Sequence, residues 1–325
     1  MSNSEQNWVA NYWRRIFAGI VDLGSLTRYG LLPSLLPAAA GDYPQVPTAS
    51  TRRILCSVAH PDDETFGLGS VLIKYAQEGA DVYTACGTRG DVGEIHERSH
   101  ATPETLAEVR EQEYYAAGKT MGVSRSILYG YRDSGMAGTP ENDHPNAYIK
   151  VPVDEVAAQI VETIREIRPH IVLTFDEGGG YGHPDHIHAS AATVAAFHAA
   201  SDPNYAGSSL EPWTASKLYY WAFPKSKMKE WIDGLKVIDP DSDLANLDPD
   251  QLGMDDDRFT TVLDTSKYSD IRRQAIAQHQ SQYSPLDRMP SNELADMYLN
   301  SDFLIRAYPE EGNPEETDLF EGLDI

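Results

Sequence analysis

The order of hydrophobic and polar residues along the middle of this chain predicts strands that alternate with helices. Short apolar runs, as is typical of buried strands, lie at 53–58, 81–87, 126–130 and 170–175. Segments with apolar residues at helical spacing follow these runs, at 64–79, 104–121, 153–167 and 186–200. Because helical crossovers of this kind join parallel strands, the pattern predicts an α/β fold with a mostly parallel sheet flanked by helices.

The pattern beyond residue 200 predicts fewer elements. The run 218–222 predicts a fifth strand, 266–282 a helix, and 303–306 a last strand at the edge of the sheet. The acidic segment 239–257 contains Asp at alternate positions, as a calcium loop does. It lacks the glycine and the final glutamate of such a loop, so we interpret it as a solvated loop.

Both ends of the chain differ from the single domain that we predict over 51–308. Residues 1–50 carry apolar side chains at helical spacing, which predicts a helical extension that packs on the protein's own core. The alternative is that this helix makes a weak contact with a membrane surface or a partner. The tail, 309–325, has seven acidic residues and no basic one, so it is expected to be disordered.

Charge and cysteine content narrow the classes of function. The chain has 26 basic and 50 acidic residues, a net charge of −24, which argues against a nucleic-acid partner. Cys56 and Cys86 both lie in predicted strands and fit core packing, so no oxidising compartment is required. Arg14, Arg15 and Asp22 interrupt the apolar N-terminus, which does not resemble a signal peptide. The expected location is the cytoplasm, with peripheral membrane contact left open.

Two short motifs with histidine and aspartate follow predicted strands. The first is Ala-His-Pro-Asp-Asp-Glu at 59–64, and the second is Gly-His-Pro-Asp-His at 182–186. Open α/β sheets bind ligands at the carboxyl ends of their strands, where both motifs lie. Two imidazoles and one carboxylate suit zinc, with one position left for water. We therefore predict that Zn²⁺ is bound by His60, Asp63 and His186.

Two further side chains of these motifs suit acid–base chemistry. Asp62 is a candidate base for water, and His183 is a candidate acid or a stabiliser of an oxyanion. Taken singly, such residues at the start of a helix are usually caps or surface residues. Their combination at two strand ends, in two similar prolyl turns, favours a metal hydrolase.

These motifs resemble those of the PIG-L/LmbE-like zinc-dependent N-deacetylases. Further similar segments lie at 88–94, 131–136 and 277–282, together with Arg110 and Glu113. The resemblance covers roughly 50–308. It implies a Rossmann-like fold and hydrolysis of an acetamide, usually on an N-acetylglucosamine unit.

The resemblance also implies roles for individual residues. It assigns zinc binding to the positions of His60, Asp63 and His186, and the role of general base to Asp62. The residue that matches His183 helps to stabilise the tetrahedral intermediate, and Asp185 is expected to support His183 electrostatically.

The segment 131–136 is most similar to the branch that acts on inositol-linked N-acetylglucosamine in mycothiol synthesis, or on mycothiol conjugates. In that branch Asp133 would contact the sugar, and Tyr181 would reach the oxyanion. Arg132 and Arg89 are candidates for an anionic group of the substrate, and pairing with surface acids explains them equally well. The loop that follows the second strand contributes a further candidate substrate contact, Glu94.

Two other classes of function stay open at this level. Two histidines and one carboxylate also suit a non-haem Fe(II) oxygenase, although that set is more familiar on β-barrels. A non-catalytic membrane-associated binding protein would use residues 1–50 as its anchor. The size of the acyl group, the aglycone of the sugar and the oligomeric state are not fixed by the sequence.

Overall fold

A computed structural model describes residues 52–96, 98–238, 253–289, 291–310 and 315–325. The predicted extension at 1–50 and most of the acidic segment 239–257 lie outside the described residues. Within the described ranges, no helix combines the length and the apolar character that are needed to cross a membrane.

The described residues form a sheet of seven strands in the order β3-β2-β1-β4-β5-β7-β6. The strands are β1 (Arg53–Val58), β2 (Asp81–Thr88), β3 (Arg125–Tyr131), β4 (Ile171–Phe175), β5 (Lys217–Trp221), β6 (Thr261–Asp264) and β7 (Ser301–Tyr308). The strands β1 to β5 run parallel, and β7 is antiparallel to both of its neighbours. The prediction of an α/β fold with a mostly parallel sheet is confirmed.

Helices lie between successive strands of the chain. They are α1 (Asp63–Gln77), α2 (Leu106–Met121), α3 (Val153–Ile167), α4 (Gly179–Gly182), α5 (Pro184–Ala199), α6 (Lys225–Ile238), α7 (Ser269–Ile276) and α8 (Asn292–Leu299). Helices α1, α2 and α7 pack on one another, and α3 packs on α5. Right-handed crossovers on the two sides of β1 place these two groups on opposite faces of the sheet. The apolar strands β1 and β4 are therefore buried on both faces.

The order of the strands reverses between β1 and β4. The chain leaves β1 toward β2 on one side, and β4 pairs with β1 on the other side. A crevice at the carboxyl ends of the strands forms at such a switch point. Both His-Asp motifs follow these two strands, so the topology brings them to one crevice.

Three predictions about the later elements differ from the structure. The last strand, β7, lies between β5 and β6, and the edge of the sheet is β6, whose four residues are too few for a clear period. In place of the predicted helix 266–282, the structure has the shorter helix α7, which ends at Ile276. The pattern also missed β6, α6 and α8.

The acidic tail was expected to be disordered, and this is wrong for its described part, 315–325. The backbone of Glu316 pairs with β6, donating to the Thr260 carbonyl at 2.8 Å and accepting from the Val262 amide at 3.2 Å. The side chains of Leu319 and Phe320 are buried in the core. Composition alone did not show that these few residues find partners on distant strands.

The carboxylate of Glu316 is buried among four donors from three strands. Lys217 and Arg306 donate to Oε1 at 2.8 and 2.7 Å, and Tyr219 and Thr261 donate to Oε2 at 2.7 and 3.0 Å. Burial alone would raise the pKa of Glu316, but the hydrogen bonds from Lys217 and Tyr219 outweigh burial and lower it. The tail is thus joined to the sheet by an ionised, fully hydrogen-bonded carboxylate.

Replacing Glu316 by alanine is expected to destabilise the protein by about 3–5 kcal/mol, because the buried Lys217 and the half-buried Arg306 lose their carboxylate partner. Urea unfolding at neutral pH measures this change. Glu315, the exposed neighbour of Glu316, provides the control, and Glu315→Ala should change stability by less than about 0.5 kcal/mol. Equal unfolding free energies for the two variants would show that the tail does not stabilise the fold.

Candidate active site

The first motif leaves β1 through a strained backbone turn. Asp62 adopts φ 138° and ψ −28°, a region that residues other than glycine rarely occupy. Its carbonyl accepts from the amides of Thr65 and Phe66 at 2.9 and 2.7 Å, and so begins α1. Its amide donates to the fully buried Glu64 carboxylate at 3.1 Å. Strain of this kind, held by its surroundings, is common at functional sites.

Three predicted ligands converge above the ends of β1 and β4. The His60 Nδ1 atom lies 3.1 Å from His186 Nε2 and 3.3 Å from Asp63 Oδ2. The His186 Nε2 atom lies 3.3 Å from Asp63 Oδ1. Both histidines are buried, and 12% of the Asp63 side chain is exposed. The structure therefore brings these three donor groups to one point.

The spacing of these donors fits a zinc ion. Bonds of about 2.0–2.1 Å at tetrahedral angles place two ligand atoms about 3.3 Å apart. Burial alone would raise the pKa of Asp63, but its contacts with His186 and His60 lower it well below its usual range. An ionised carboxylate and two imidazole nitrogens facing one another suit a small divalent cation.

The other ring nitrogen of His186, a predicted ligand, also has a partner. His186 Nδ1 lies 3.2 Å from the Gly179 carbonyl, and the Phe175 ring stacks on the His186 ring with centroids 4.1 Å apart. Gly179 has φ +66°, and a Cβ there would lie 2.8 Å from the His186 Cβ atom. The glycine run 178–180 thus allows the backbone to approach His186 and fix its ring.

The side chain of Asp185 contacts His60. Its side chain was expected to support His183, but Oδ2 lies 3.2 Å from His60 Nε2 and accepts from the Ser134 amide at 2.9 Å. Only its backbone amide reaches His183, donating to Nδ1 at 3.1 Å. The residues are two apart at the start of α5, a spacing at which helical side chains do not face each other.

His183 is held as a neutral hydrogen-bond donor. Because Nδ1 accepts from the Asp185 amide, the ring proton lies on Nε2. Burial, followed by the neighbouring His60 and His186, lowers the pKa of His183 well below its usual value. This arrangement favours the predicted role of oxyanion stabiliser over that of acid.

His183 also offers an alternative ligand. Its ring nitrogen lies within 4.8 Å of nitrogens of His60 and His186. The Asp63 oxygens lie 3.3 Å from the facing nitrogens of the same two histidines, which is the separation expected of two ligands of one zinc ion. We therefore favour Asp63 as the third ligand.

Asp62 is paired with a buried arginine beside the proposed metal position. Arg110 Nη2 donates to Asp62 Oδ2 at 2.9 Å and to the Pro61 carbonyl at 2.8 Å, and Nη1 donates to the Gly90 carbonyl at 3.0 Å. A Cβ on Gly90 or Gly93 would lie 2.4 Å from the guanidinium, so a side chain at either position would displace Arg110 from these hydrogen bonds. Burial raises the pKa of Asp62 to about 6, although Arg110 opposes the rise. Such a pKa suits a general base near neutral pH.

The predicted oxyanion contact, Tyr181, lies within the site. Its ring centroid is 4.9 Å from that of His186 and 6.2 Å from that of His183. Its backbone belongs to α4, which is only four residues long and contains Gly180 at φ 69°. Tyr181 is thus close enough to the two histidines to share a ligand with them.

The predicted substrate contacts lie in different surroundings. Asp133 is 3% exposed, and its Oδ1 lies 3.6 Å from His60 Nε2 and accepts from the Gly135 amide at 2.8 Å. The two arginines both pair with acids: Arg132 with Glu141 and Asp91, and Arg89 with Glu108 and Glu111. Glu94 is exposed in the loop after β2. Substrate contact by these four residues stays a prediction.

Sequence reasoning missed Arg272, which braces the site from behind together with His279, a residue of the similar segment 277–282. Arg272 is 1% exposed and donates to the carbonyls of Thr65, Phe66 and Gly67 in the first turns of α1. His279 Nε2 lies 3.3 Å from the Thr65 hydroxyl. Because these contacts join positions about 200 residues apart, no local pattern predicts them.

The segment 277–282, one of those that resemble the family, also supports the site from behind. Glu113 of α2 accepts from the Ser281 amide at 2.8 Å and from its hydroxyl at 2.6 Å. The same helix contributes Arg110. The segment 277–282 therefore fixes α2, and α2 in turn positions Arg110 beside Asp62.

Comparisons with known proteins agree with this geometry. A sequence profile of the PIG-L family, described as GlcNAc-PI de-N-acetylase, matches residues 55–197. A 1D-myo-inositol 2-acetamido-2-deoxy-alpha-D-glucopyranoside deacetylase from Catenulispora acidiphila is 35% identical over 88% of this chain and 94% of its own length.

Solved structures show the same fold at lower identity. An N,N'-diacetylchitobiose deacetylase from Pyrococcus horikoshii superposes with a TM-score of 0.56 and 19% identity, covering 78% of this chain and 83% of that one. A 4-carboxy-2-hydroxymuconate hydratase from Pseudomonas putida gives 0.55 and 16%, covering 81% and 98%. Since the second protein is a hydratase, the fold alone does not fix the reaction.

Proposed function

Because this chain belongs to the PIG-L family of de-N-acetylases, we propose that it is a metal-dependent hydrolase of N-acetylated amino sugars. The observation that carries the proposal is the convergence of His60, Asp63 and His186 within 3.1–3.3 Å of one another, with Asp62 adjacent in sequence. The reaction is R–NH–CO–CH₃ + H₂O → R–NH₃⁺ + CH₃COO⁻.

We propose that the resident metal is zinc, held by His60, Asp63 and His186. The donor types and their spacing support this choice. A bound zinc ion would supply an activated water and polarise the acetyl carbonyl. The chain's own residues supply proton transfer, orientation and stabilisation of charge.

Asp62 is the proton carrier of the reaction. Its carboxylate takes a proton from the attacking water. The hydrogen bond that Oδ2 accepts from Arg110 at 2.9 Å keeps the carboxylate oriented. When the carbon–nitrogen bond breaks, the departing nitrogen needs a proton. His183 is neutral with Nδ1 already accepting, so Asp62 is the available source of that proton.

His183 stabilises the charge that develops on the acetyl oxygen. Its Nε2 proton is the free donor of the ring, since Nδ1 is occupied by the Asp185 amide. The Tyr181 hydroxyl is a second candidate donor, because Tyr181 follows the glycine run 178–180 and its ring lies beside His186. Both donors act on the oxygen that becomes negative, which is where a preorganised donor lowers the barrier.

We propose an N-acetylglucosaminyl inositol as the substrate. This choice rests on the relative from Catenulispora acidiphila, which this chain matches over 94% of that protein's length. Asp133, Arg132, Arg89 and Glu94 are the proposed contacts with the sugar and its aglycone. The cytoplasmic location and a weak membrane contact of residues 1–50 stay predictions.

A panel assay tests the substrate. Release of free amine should be at least tenfold more efficient, by kcat/KM, for N-acetylglucosaminyl inositol than for diacetylchitobiose or free N-acetylglucosamine. Binding energy from the aglycone is the reason, because remote contacts raise the rate at the reacting bond. A preference for chitobiose would overturn the substrate, and no amine from any N-acetylated sugar would overturn the proposed reaction.

The iron oxygenase has less support from the site. An oxygenase uses the two histidines and one carboxylate but gives no role to the Asp62–Arg110 pair or to His183 as a donor. Amine release that is equal with and without oxygen is the expected result, and a requirement for oxygen would favour that alternative.

A further inference from the structure

The His60 ring is held from both of its nitrogens. Nδ1 faces Asp63 and His186, while Nε2 faces Asp185 Oδ2 at 3.2 Å and Asp133 Oδ1 at 3.6 Å. We propose that Asp185, assisted by Asp133, is a positioning residue for His60, and that its side chain sets the affinity of the metal site. This inference rests on the proposed metal centre.

The proton of the His60 ring explains the role. A neutral imidazole carries one proton, and the nitrogen that binds a metal must present a lone pair. Asp185 Oδ2, at hydrogen-bond distance from Nε2, holds the proton there and leaves Nδ1 free for the cation. A carboxylate in this position also makes the ligand nitrogen more basic.

Asp185 is itself fixed and is not a mobile surface acid. It is 0% exposed, and the same Oδ2 atom accepts from the Ser134 amide at 2.9 Å. Its other oxygen, Oδ1, is buried and has no hydrogen-bond partner among the described residues. A buried carboxylate with so few donors is costly unless positive charge lies nearby. A cation at His60 Nδ1 supplies that charge through the ring.

The two ligand histidines therefore have unequal outer partners. His186 Nδ1 faces a neutral backbone carbonyl, that of Gly179, at 3.2 Å. His60 Nε2 faces two carboxylates. Since Asp185 directly precedes His186 in α5, one helical turn supplies one ligand and orients the other. A change at Asp185 should thus act on metal binding through His60.

This role is distinguishable from support of His183. The contact between Asp185 and His183 uses the backbone amide, which every side-chain substitution except proline retains. Asp185→Asn removes the charge beside His60 and leaves the hydrogen bond to His183 Nδ1 in place. The two roles therefore predict different measurements on the same variant.

The test is zinc affinity, measured by competition with a chromophoric chelator on the full-length protein. Asp185→Asn should bind zinc about 10–100-fold more weakly than wild type, as loss of an outer partner of a metal ligand typically does. Saturating zinc should restore its turnover toward the wild-type value. Asp133→Asn, at the longer distance, should show a smaller weakening. Asp81→Asn, at the opposite end of the sheet, should leave zinc affinity unchanged.

Unchanged zinc affinity in Asp185→Asn would overturn the inference, as would a low turnover that persists when zinc is saturating. If thermal unfolding shows that Asp185→Asn does not fold, Asp133→Asn decides, and wild-type affinity in that variant overturns the inference. Wild-type protein that binds no zinc would instead overturn the metal centre itself. The two failures are therefore distinguishable.

Discussion

Replacing Asp62 by asparagine is expected to lower the turnover number for amine release by about 10²–10⁴-fold. Asparagine has the same shape and can still accept from Arg110 Nη2, but it cannot take a proton from water. It is also among the residues that best tolerate positive φ, so the strained turn should survive. Steady-state assays and metal analysis of the same sample measure the change.

The metal content separates this effect from damage to the site. Asp62→Asn should retain its metal, because the three ligand residues are unchanged. Asp81→Asn removes a carboxylate at the amino end of β2 and should keep wild-type turnover. Wild-type turnover in Asp62→Asn would remove Asp62 from the reaction, and loss of metal would make it a ligand instead of a base.

Replacing His186 by alanine is expected to abolish metal binding and to lower turnover by about 10³-fold or more. The metal supplies several kcal/mol of stabilisation to the transition state, and each 1.4 kcal/mol is a factor of ten in rate. Removing the metal from wild-type protein with a chelator should have the same effect. Activity should then return when zinc is added to wild type but not to the variant.

His188 provides a matched control on the same helix. It lies two residues beyond His186, and its ring packs edge-on against Tyr148 with centroids 4.8 Å apart. His188→Ala should therefore retain its metal and most of its activity. If both alanine variants lose metal equally, the loss reflects the helix and not the ligand. If His186→Ala keeps a full complement of metal, His186 is not a ligand.

The sequence predicted that side chains following adjacent strands would lie close together. Apolar runs located β1 and β4, and the carboxyl ends of parallel strands meet at one edge. That rule was enough to bring His60, Asp63 and His186 together. It did not show the order of the strands, which places β1 beside β4 and so makes the contact direct.

The sequence failed where partners come from distant parts of the chain. Asp185 was assigned to its near neighbour, His183, whereas its side chain reaches His60, which is 125 residues away. Glu316 was placed in a disordered tail because its charge was visible and its partners on β5, β6 and β7 were not. No local pattern distinguishes Arg272, which is buried against α1.

Anomalous X-ray diffraction at the zinc absorption edge, on crystals of the zinc-loaded protein, is the sharpest test of the proposed metal site. If the proposed site is right, one strong peak lies within about 2.0–2.2 Å of His60 Nδ1, His186 Nε2 and an Asp63 oxygen, with Asp62 adjacent but not coordinated. A peak coordinated by His183 in place of Asp63, or a peak distant from His60, would contradict it.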